Sequence, residues 1–223
     1  MNRIAVVHSP FPEKFGIPRQ SGVVEELRST VIFDDEYRSA DAVRGLEDFS
    51  HIWLIWEFSE VPEGKWSPTV RPPRLGGNTR KGVFATRSPF RPNPIGLSCV
   101  RLDGIEYSSS LGPILHVSGA DIMDGTPVYD IKPYVPYTDC RPDAVGGFAP
   151  DSGRTLGVVI PDELTRDMDA QLADTLKKVL SRDPRPPYHD SPERVYGMCF
   201  DGLEIRFYVS GDTLTVTEIS KRR

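Results

Sequence analysis

The chain has 223 residues, 38% of them hydrophobic, and 27 Lys and Arg against 32 Asp and Glu give a formal net charge of −5. That length buries a full core, while the longest apolar run, Ile52 to Phe58, is broken by Glu57 and is far too short to cross a bilayer. Cys99, Cys140 and Cys199 are odd in number and scattered, the four histidines lack ligand spacing, and the N-terminus lacks a signal-peptide apolar run, so no disulfide framework, metal site or export is expected and a reducing cytoplasm is.

Taken in chain order, short β-branched or aromatic runs separated by Pro and Gly predict strands at Ile4–His8, Val23–Leu27, Ile52–Phe58, Val83–Thr86, Leu97–Leu102, Ile114–Ser118 and Val128–Ile131. Asp41–Asp48 reads as a helical turn, and long structured loops are expected above all over 59–82. Many short strands with rich turn chemistry predict a mainly β fold, with a small β-barrel or sandwich-like domain over 1–137. Residues 138–154 are a composition break, read as a linker or long loop. A helix then follows: Pro161 suits its first turn, and Leu164, Met168, Leu172, Leu176 and Leu180 form one apolar stripe ended by Pro184. Val195–Phe200, Leu203–Val209 and Leu214–Ile219, joined at Asp201-Gly202 and Gly211-Asp212, spell a three-stranded antiparallel meander. Residues 155–223 therefore form a small α+β domain.

Charge is unevenly spread. From Gly64 to Leu102 there is no Asp or Glu but eight basic residues (Lys65, Arg71, Arg74, Arg80, Lys81, Arg87, Arg91 and Arg101), leaving −13 for the rest. One basic window in an acidic chain is a locally built anion site rather than a general nucleic-acid coat. No Gly-x-Gly-x-x-Gly follows a strand, no Gly-x-Ser-x-Gly elbow occurs, and Gly76–Gly82 lacks the Lys-Ser/Thr ending of a phosphate loop.

Four segments dense in Pro, Arg, Asp and Asn remain: Phe15–Gly22, Arg71–Asn78, Phe84–Ser98 and Asp121–Tyr134. Proline pre-organises a loop that must hold its shape unaided, and arginine beside it suits bidentate capture of phosphate or carboxylate. Asn93, between two prolines, suits a base edge or a ribose hydroxyl. Asp121, Asp124 and Asp130 bring carboxylates close to Lys132; a capped turn with a surface ion pair and an acid/base group are equally open readings. Phe90, Tyr129, Tyr134 and Tyr137 suit stacking on unpaired bases, whereas Phe84, Trp53 and Trp56 are expected to pack internally.

Pro18-Arg19-Gln20, Asp41–Glu47, Arg71–Asn78, Thr86–Gly96, Asp124–Pro127, Asp130–Tyr134 and Asp183–Tyr188 closely resemble the motifs of the TsaA-like (TrmO) family of tRNA adenine-N6 methyltransferases, over nearly the whole chain. The resemblance implies a homodimeric, cytoplasmic, S-adenosylmethionine-dependent enzyme that needs no metal and methylates N6-threonylcarbamoyladenosine at position 37, in the anticodon loop of tRNA. It places the cofactor at Pro18, Arg19, Gln20, Phe58, Ser59, Arg87, Leu97, Ser118, Gly119, Ala120 and Asp121. The expected catalytic group is Asp124, with Asp121, Lys132 and Tyr134 beside it. Arg71, Arg74, Asn78, Arg80, Lys81, Arg91 and Asn93 are expected to bind tRNA, with Arg74, Arg91 or Lys132 on the threonyl carboxylate. Two alternatives stay open: a non-catalytic RNA-binding protein, and an S-adenosylmethionine enzyme for a small anionic substrate.

Overall fold

Six strands close into an antiparallel barrel: β1 (Ala5–His8), β2 (Arg28–Phe33), β3 (His51–Glu57), β6 (Ile95–Ser108), β7 (Gly112–Ser118) and β8 (Thr126–Pro133), in the spatial order β1-β2-β7-β6-β3-β8. The structure, a computed structural model, describes residues 1–62, 64–150, 153, 155–186 and 191–222. Strict alternation makes the wall. In β3, Ile52, Leu54 and Trp56 are buried while His51, Trp53, Ile55 and Glu57 are not, the period of a half-buried strand. Inward side chains of all six strands, among them Val7, Val31, Phe33, Val100, Leu115, Val117 and Val128, fill the interior. Gly96 of β6 is opposite Trp56, and a Cβ there would lie 2.3 Å from the indole, so only glycine admits that ring.

Two short strands, β4 (Thr69–Val70) and β5 (Lys81–Gly82), form a separate ribbon within the long loop between β3 and β6. After β8 come α1 (Pro136–Asp139), β9 (Gly157–Val159), α2 (Asp162–Thr165) and α3 (Ala170–Ser181). The chain ends in β10 (Tyr196–Phe200), β11 (Leu203–Ser210) and β12 (Thr213–Lys221). Asp201 and Gly202 both take positive φ (49° and 73°), as a two-residue hairpin turn requires.

Several elements differ from the sequence-based expectations, each for a stated physical reason. Val23–Leu27 is irregular rather than a strand; Val24 and Leu27 are apolar because they pack into the C-terminal core, and the strand begins at Arg28. Val83–Ala85 is a 3₁₀ turn that buries Val83 alone. The single helix divides into α2 and α3 because the Asp169 carboxylate caps a new N-terminus, accepting from Gln171 N (2.9 Å) and Leu172 N (3.0 Å). The meander gains a fourth strand, β9, parallel to β12. Phe84 is not core: it is 73% exposed.

The two sheets are tied together by the β1–β2 loop. Phe11, Val24 and Leu27 belong to the same buried cluster as Leu176, Leu180, Met198, Phe200 and Phe207. Phe11 sits against Phe200 with ring centroids 5.3 Å apart. Asp201 N donates to Pro10 O (2.8 Å), and Arg182 Nη2 donates to Val23 O (3.0 Å). Phe11→Ala should lower the unfolding free energy by about 3–5 kcal/mol, the usual cost of emptying a phenylalanine site. Urea unfolding followed by fluorescence measures it; a loss below about 1 kcal/mol would remove Phe11 as the anchor.

Candidate active site at one rim of the barrel

Strands β1, β3 and β7 run one way and β2, β6 and β8 the other, so the connections 9–27, 58–94 and 119–125 all emerge at one rim. Three of the four Pro/Gly-rich segments, and the start of the fourth, therefore meet there. The topology alone brings together residues more than a hundred positions apart.

The rim is organised around Asp121. Trp56 Nε1 donates to Ser98 Oγ (3.0 Å), and Ser98 Oγ donates to Asp121 Oδ1 (2.6 Å). Ser98 is almost wholly buried, and Phe58 packs against Trp56 at 4.4 Å between ring centroids. Phe58 N is fixed by Pro94 O (2.8 Å). Burial pushes the Asp121 carboxyl above its ordinary range; the Ser98 hydroxyl, its own amide, the Arg87 charge and the Ser21 amide partly offset that shift. Arg87 Nη1 donates to Gln20 Oε1, joining the loop 84–94 to the loop 18–20.

Pro18 is buried, while Arg19 donates through Nη2 to Arg185 O (3.4 Å) on the C-terminal side. Gly22 N donates to Gly119 O (2.9 Å) and Gly119 N to Leu27 O (2.8 Å), locking the β1–β2 loop against the end of β7. Ala120 is in the barrel core. Ser59 is exposed beside Phe58, and Leu97 is 56% exposed on the outer face of β6. Ser118 belongs to the outer wall: its hydroxyl donates to Asp103 Oδ2. The structure thus gathers Pro18, Gln20, Phe58, Arg87 and Asp121 at the rim, and turns the side chains of Arg19, Leu97, Ser118 and Ala120 elsewhere.

The four expected catalytic residues do not converge. Asp124 is on the same rim as Asp121, exposed, its Oδ1 accepting from Ser9 N (3.1 Å) and facing His8 Nδ1 (3.2 Å). Lys132 and Tyr134 are at the opposite rim, because β8 is an extended strand whose eight residues span roughly 25 Å. There Lys132 pairs with Asp130 (3.0 Å), and Tyr134 packs against His51 and Trp53. Of the three aspartates expected beside Lys132, Asp130 alone is within ion-pair distance.

The basic loops form the rest of the rim. Arg71 and Asn78 are exposed, and Lys81 is in β5. Arg74, on the 3₁₀ turn Pro73–Leu75, lies against Gly153. Arg80 Nη1 donates to Thr69 Oγ1 (2.9 Å). Arg91 is a clamp: its Nη1 donates to Val83 O (3.1 Å) and Thr86 O (2.8 Å) and its guanidinium stands 5.5 Å over the Phe84 ring. Asn93 is exposed, with its carbonyl accepting from Ile95 N (2.8 Å). Trp66, Phe84 and Phe90 are all exposed among these arginines. Trp66, Ser98 and His8 escaped the sequence reading. For Trp66 a signal existed, an indole between Lys65 and Pro68 inside the acid-free window; the roles of Ser98 and His8 appear only through cross-strand contacts. Pro187 and Tyr188 of the C-terminal motif lie outside the described residues.

Comparison with known proteins finds relatives over nearly the whole chain. The family model of the tRNA-methyltransferase O N-terminal domain matches residues 6–140, and that of the TrmO C-terminal domain matches 159–222. The tRNA (adenine(37)-N6)-methyltransferase of Escherichia coli K12 is 41% identical over 229 residues, covering 99% of this chain and 97% of that protein. A Pseudomonas aeruginosa relative, whose name refers to S-adenosylmethionine-dependent methyl transfer, is 39% identical, covering 97% of this chain and 96% of its own. A crystal structure of TrmO from P. aeruginosa superposes with a TM-score of 0.79 at 34% identity, covering 98% of this chain and 95% of that one.

A carboxyl whose folded pKa is raised adds stability below its unfolded value and loses that contribution as pH rises through the folded value. Asp121→Asn, which keeps an acceptor for Ser98, should therefore melt higher than the parent near pH 8, with the gap closing as pH falls towards about 4. Thermal melts across that range decide it; a gap independent of pH would mean that Asp121 titrates normally.

Proposed function

Because this chain belongs to the TrmO family, we propose that the rim around Asp121 is the active site of a tRNA (adenine(37)-N6)-methyltransferase with S-adenosylmethionine as its cofactor. The observation that carries this reading is Asp121 itself: a half-buried carboxylate whose side-chain hydrogen-bond partner is a neutral hydroxyl, with a guanidinium nearby and two tilted, packed aromatic rings behind it. That donor set fits a cofactor bearing a sulfonium and an ammonium for the acid, and a carboxylate for Arg87. When bound, S-adenosylmethionine supplies an electrophilic methyl group on a sulfonium.

Methyl transfer of this kind requires no metal and no covalent enzyme intermediate; it requires two reactants held in line about 3–3.5 Å apart with water excluded. The chain's own residues supply that. Pro18, Gln20 and Arg87 hold one wall of the cofactor site, Phe58 and Ser59 another, and Gly119 and Ala120 the floor. Asp124, held by Ser9 N and facing His8, takes the proton lost by the acceptor nitrogen.

The acceptor is N6 of threonylcarbamoyladenosine, already single-stranded in the anticodon loop, so little unstacking energy is needed. Trp66, Phe84 and Phe90 stack on neighbouring bases, Arg71, Arg80, Lys81 and Asn78 meet phosphates, Asn93 meets a base or ribose, and Arg74 grips the threonyl carboxylate. Arg91 acts by holding the loop that carries Phe84. A second copy of the chain covers the outer face of β3 and β6, where the cross-strand pairs Ile55–Leu97 and Trp53–Cys99 leave apolar surface. The enzyme works in the cytoplasm, with its substrate.

Labelled methyl transfer should be seen with tRNA carrying threonylcarbamoyladenosine and not with tRNA lacking it. Equal label in both would move the target base; no label in either, with the cofactor bound, would favour a small anionic substrate, and no cofactor binding at all would favour a non-catalytic RNA-binding protein. Arg87→Ala should weaken cofactor binding roughly 10- to 100-fold, the worth of a charge-assisted hydrogen bond. Cofactor affinity should rise with pH as Asp121 ionises, a dependence that Asp121→Asn removes; calorimetry across pH measures both.

A further inference from the structure

The barrel's outer wall holds a cleft of about 530 Å³ that the rim chemistry does not use, lined by side chains of β1, β2, β7 and β6. Register sets two rows across it. Arg28 of β2 is opposite Ser118 of β7, which is opposite Arg101 of β6. His8 is opposite Thr30, which is opposite His116. Two strand spacings separate the Arg28 and Arg101 backbones, about 10 Å, so both guanidinium groups can reach one small group between them. Ser9, Pro10 and Asp201, at the β10–β11 turn, form the lip, held by the Asp201 N to Pro10 O bond (2.8 Å).

The acids of the lining are Asp103 and Asp201, beside Arg28 and Arg101. Asp103 accepts from Arg101 Nε (2.8 Å) through Oδ1 and from Ser118 through Oδ2, so both oxygens are used while the Nη groups of Arg101 stay available. His8 is held by Asp124 (3.2 Å) and His116 by Glu106 (2.9 Å). Among the described residues the Arg28 side chain has no hydrogen bond or ion pair. Asp201 at the lip is the one acid of the lining outside these pairs. Of the lining residues only Pro10 presents an apolar side chain to the cleft, since Val117 faces the barrel interior. Arg101 is also the one member of the acid-free basic window placed in the barrel wall.

We propose that this flank cleft is a phosphate site, with Arg28 and Arg101 as forked donors, and that its occupant is a backbone phosphodiester of the tRNA, away from the modified base. The proposal rests on the tRNA methyltransferase reading for its occupant. The anion chemistry is shared with free inorganic phosphate, and the test separates the two.

The test uses the full chain, as parent, Arg28→Gln, Arg101→Gln and the double variant, with Arg28→Lys as the conservative control. Titration with inorganic phosphate, followed by the imidazole NMR signals of His8 and His116, should shift both signals in the parent and neither in the double variant. tRNA binding should weaken about tenfold or more in the double variant, and the slope of log affinity against log salt should become shallower by about 0.7–0.9, one phosphate contact. S-adenosylmethionine affinity should be unchanged, and Arg28→Lys should keep the salt slope while losing part of the affinity. Unchanged tRNA affinity and slope in the double variant, while the parent methylates tRNA, overturns the RNA occupant and leaves the methyltransferase reading standing. Absence of methyl transfer by the parent is the failure of that reading, and phosphate-induced shifts then decide the cleft alone. No shift with phosphate and no change in tRNA binding overturns the site altogether.

Discussion

The loop between β1 and β2 is shared property of two cores. It leaves the barrel at His8, gives Phe11, Val24 and Leu27 to the interior of the C-terminal sheet, and returns to the barrel at Arg28. Between those anchors it carries Pro18, Arg19 and Gln20 over the rim. Gly16 shows how tight the seating is: at φ +98° it lies where a Cβ would fall 2.2 Å from Met198 Sδ, so only glycine lets the loop pass. The bridges from Arg182 to Val23, Lys178 to Glu26 and Arg19 to Arg185 fasten the same stretch from the C-terminal side. A methyltransferase site without helix or sheet support under its cofactor loop needs that rigidity from somewhere, and here a second hydrophobic core provides it.

The same constraint explains why a site made mostly of loops can be chemically strict. Asp121 is half-buried next to a hydroxyl relay that begins in the barrel core at Trp56, and the relay depends on Gly96 making room for the indole. A carboxylate held above its ordinary pKa is primed for a cationic ligand, since such a ligand repays the desolvation that burial imposes. Electrostatics at the rim and packing in the barrel are therefore one arrangement seen from two sides.

Charge follows a similar division. The acidic body discourages binding to arbitrary RNA, while the rim loops present arginine and exposed aromatic rings together. Arg91 is instructive because its sequence setting is that of an RNA contact, yet its donors are spent on Val83 and Thr86 carbonyls. It shapes the loop on which Phe84 is displayed.

The sequence by itself determined the mainly β class, the tight Asp201-Gly202 hairpin, the acid-free basic window and, through long Pro-, Arg- and Gly-bearing strings, the family. These are local properties: turn dihedrals, alternation and motif identity are written over a few consecutive residues. The tertiary structure alone decided that Val24 and Leu27 serve the C-terminal core rather than a strand, because burial against a distant sheet and burial within a strand give the same apolar letters. It likewise decided that Asp121 and Asp124 share a rim while Lys132 and Tyr134, a few residues on, do not. Strand length and direction convert that short sequence distance into the height of the barrel, and the closure of β8 against β1 and β3 fixes which end each residue reaches.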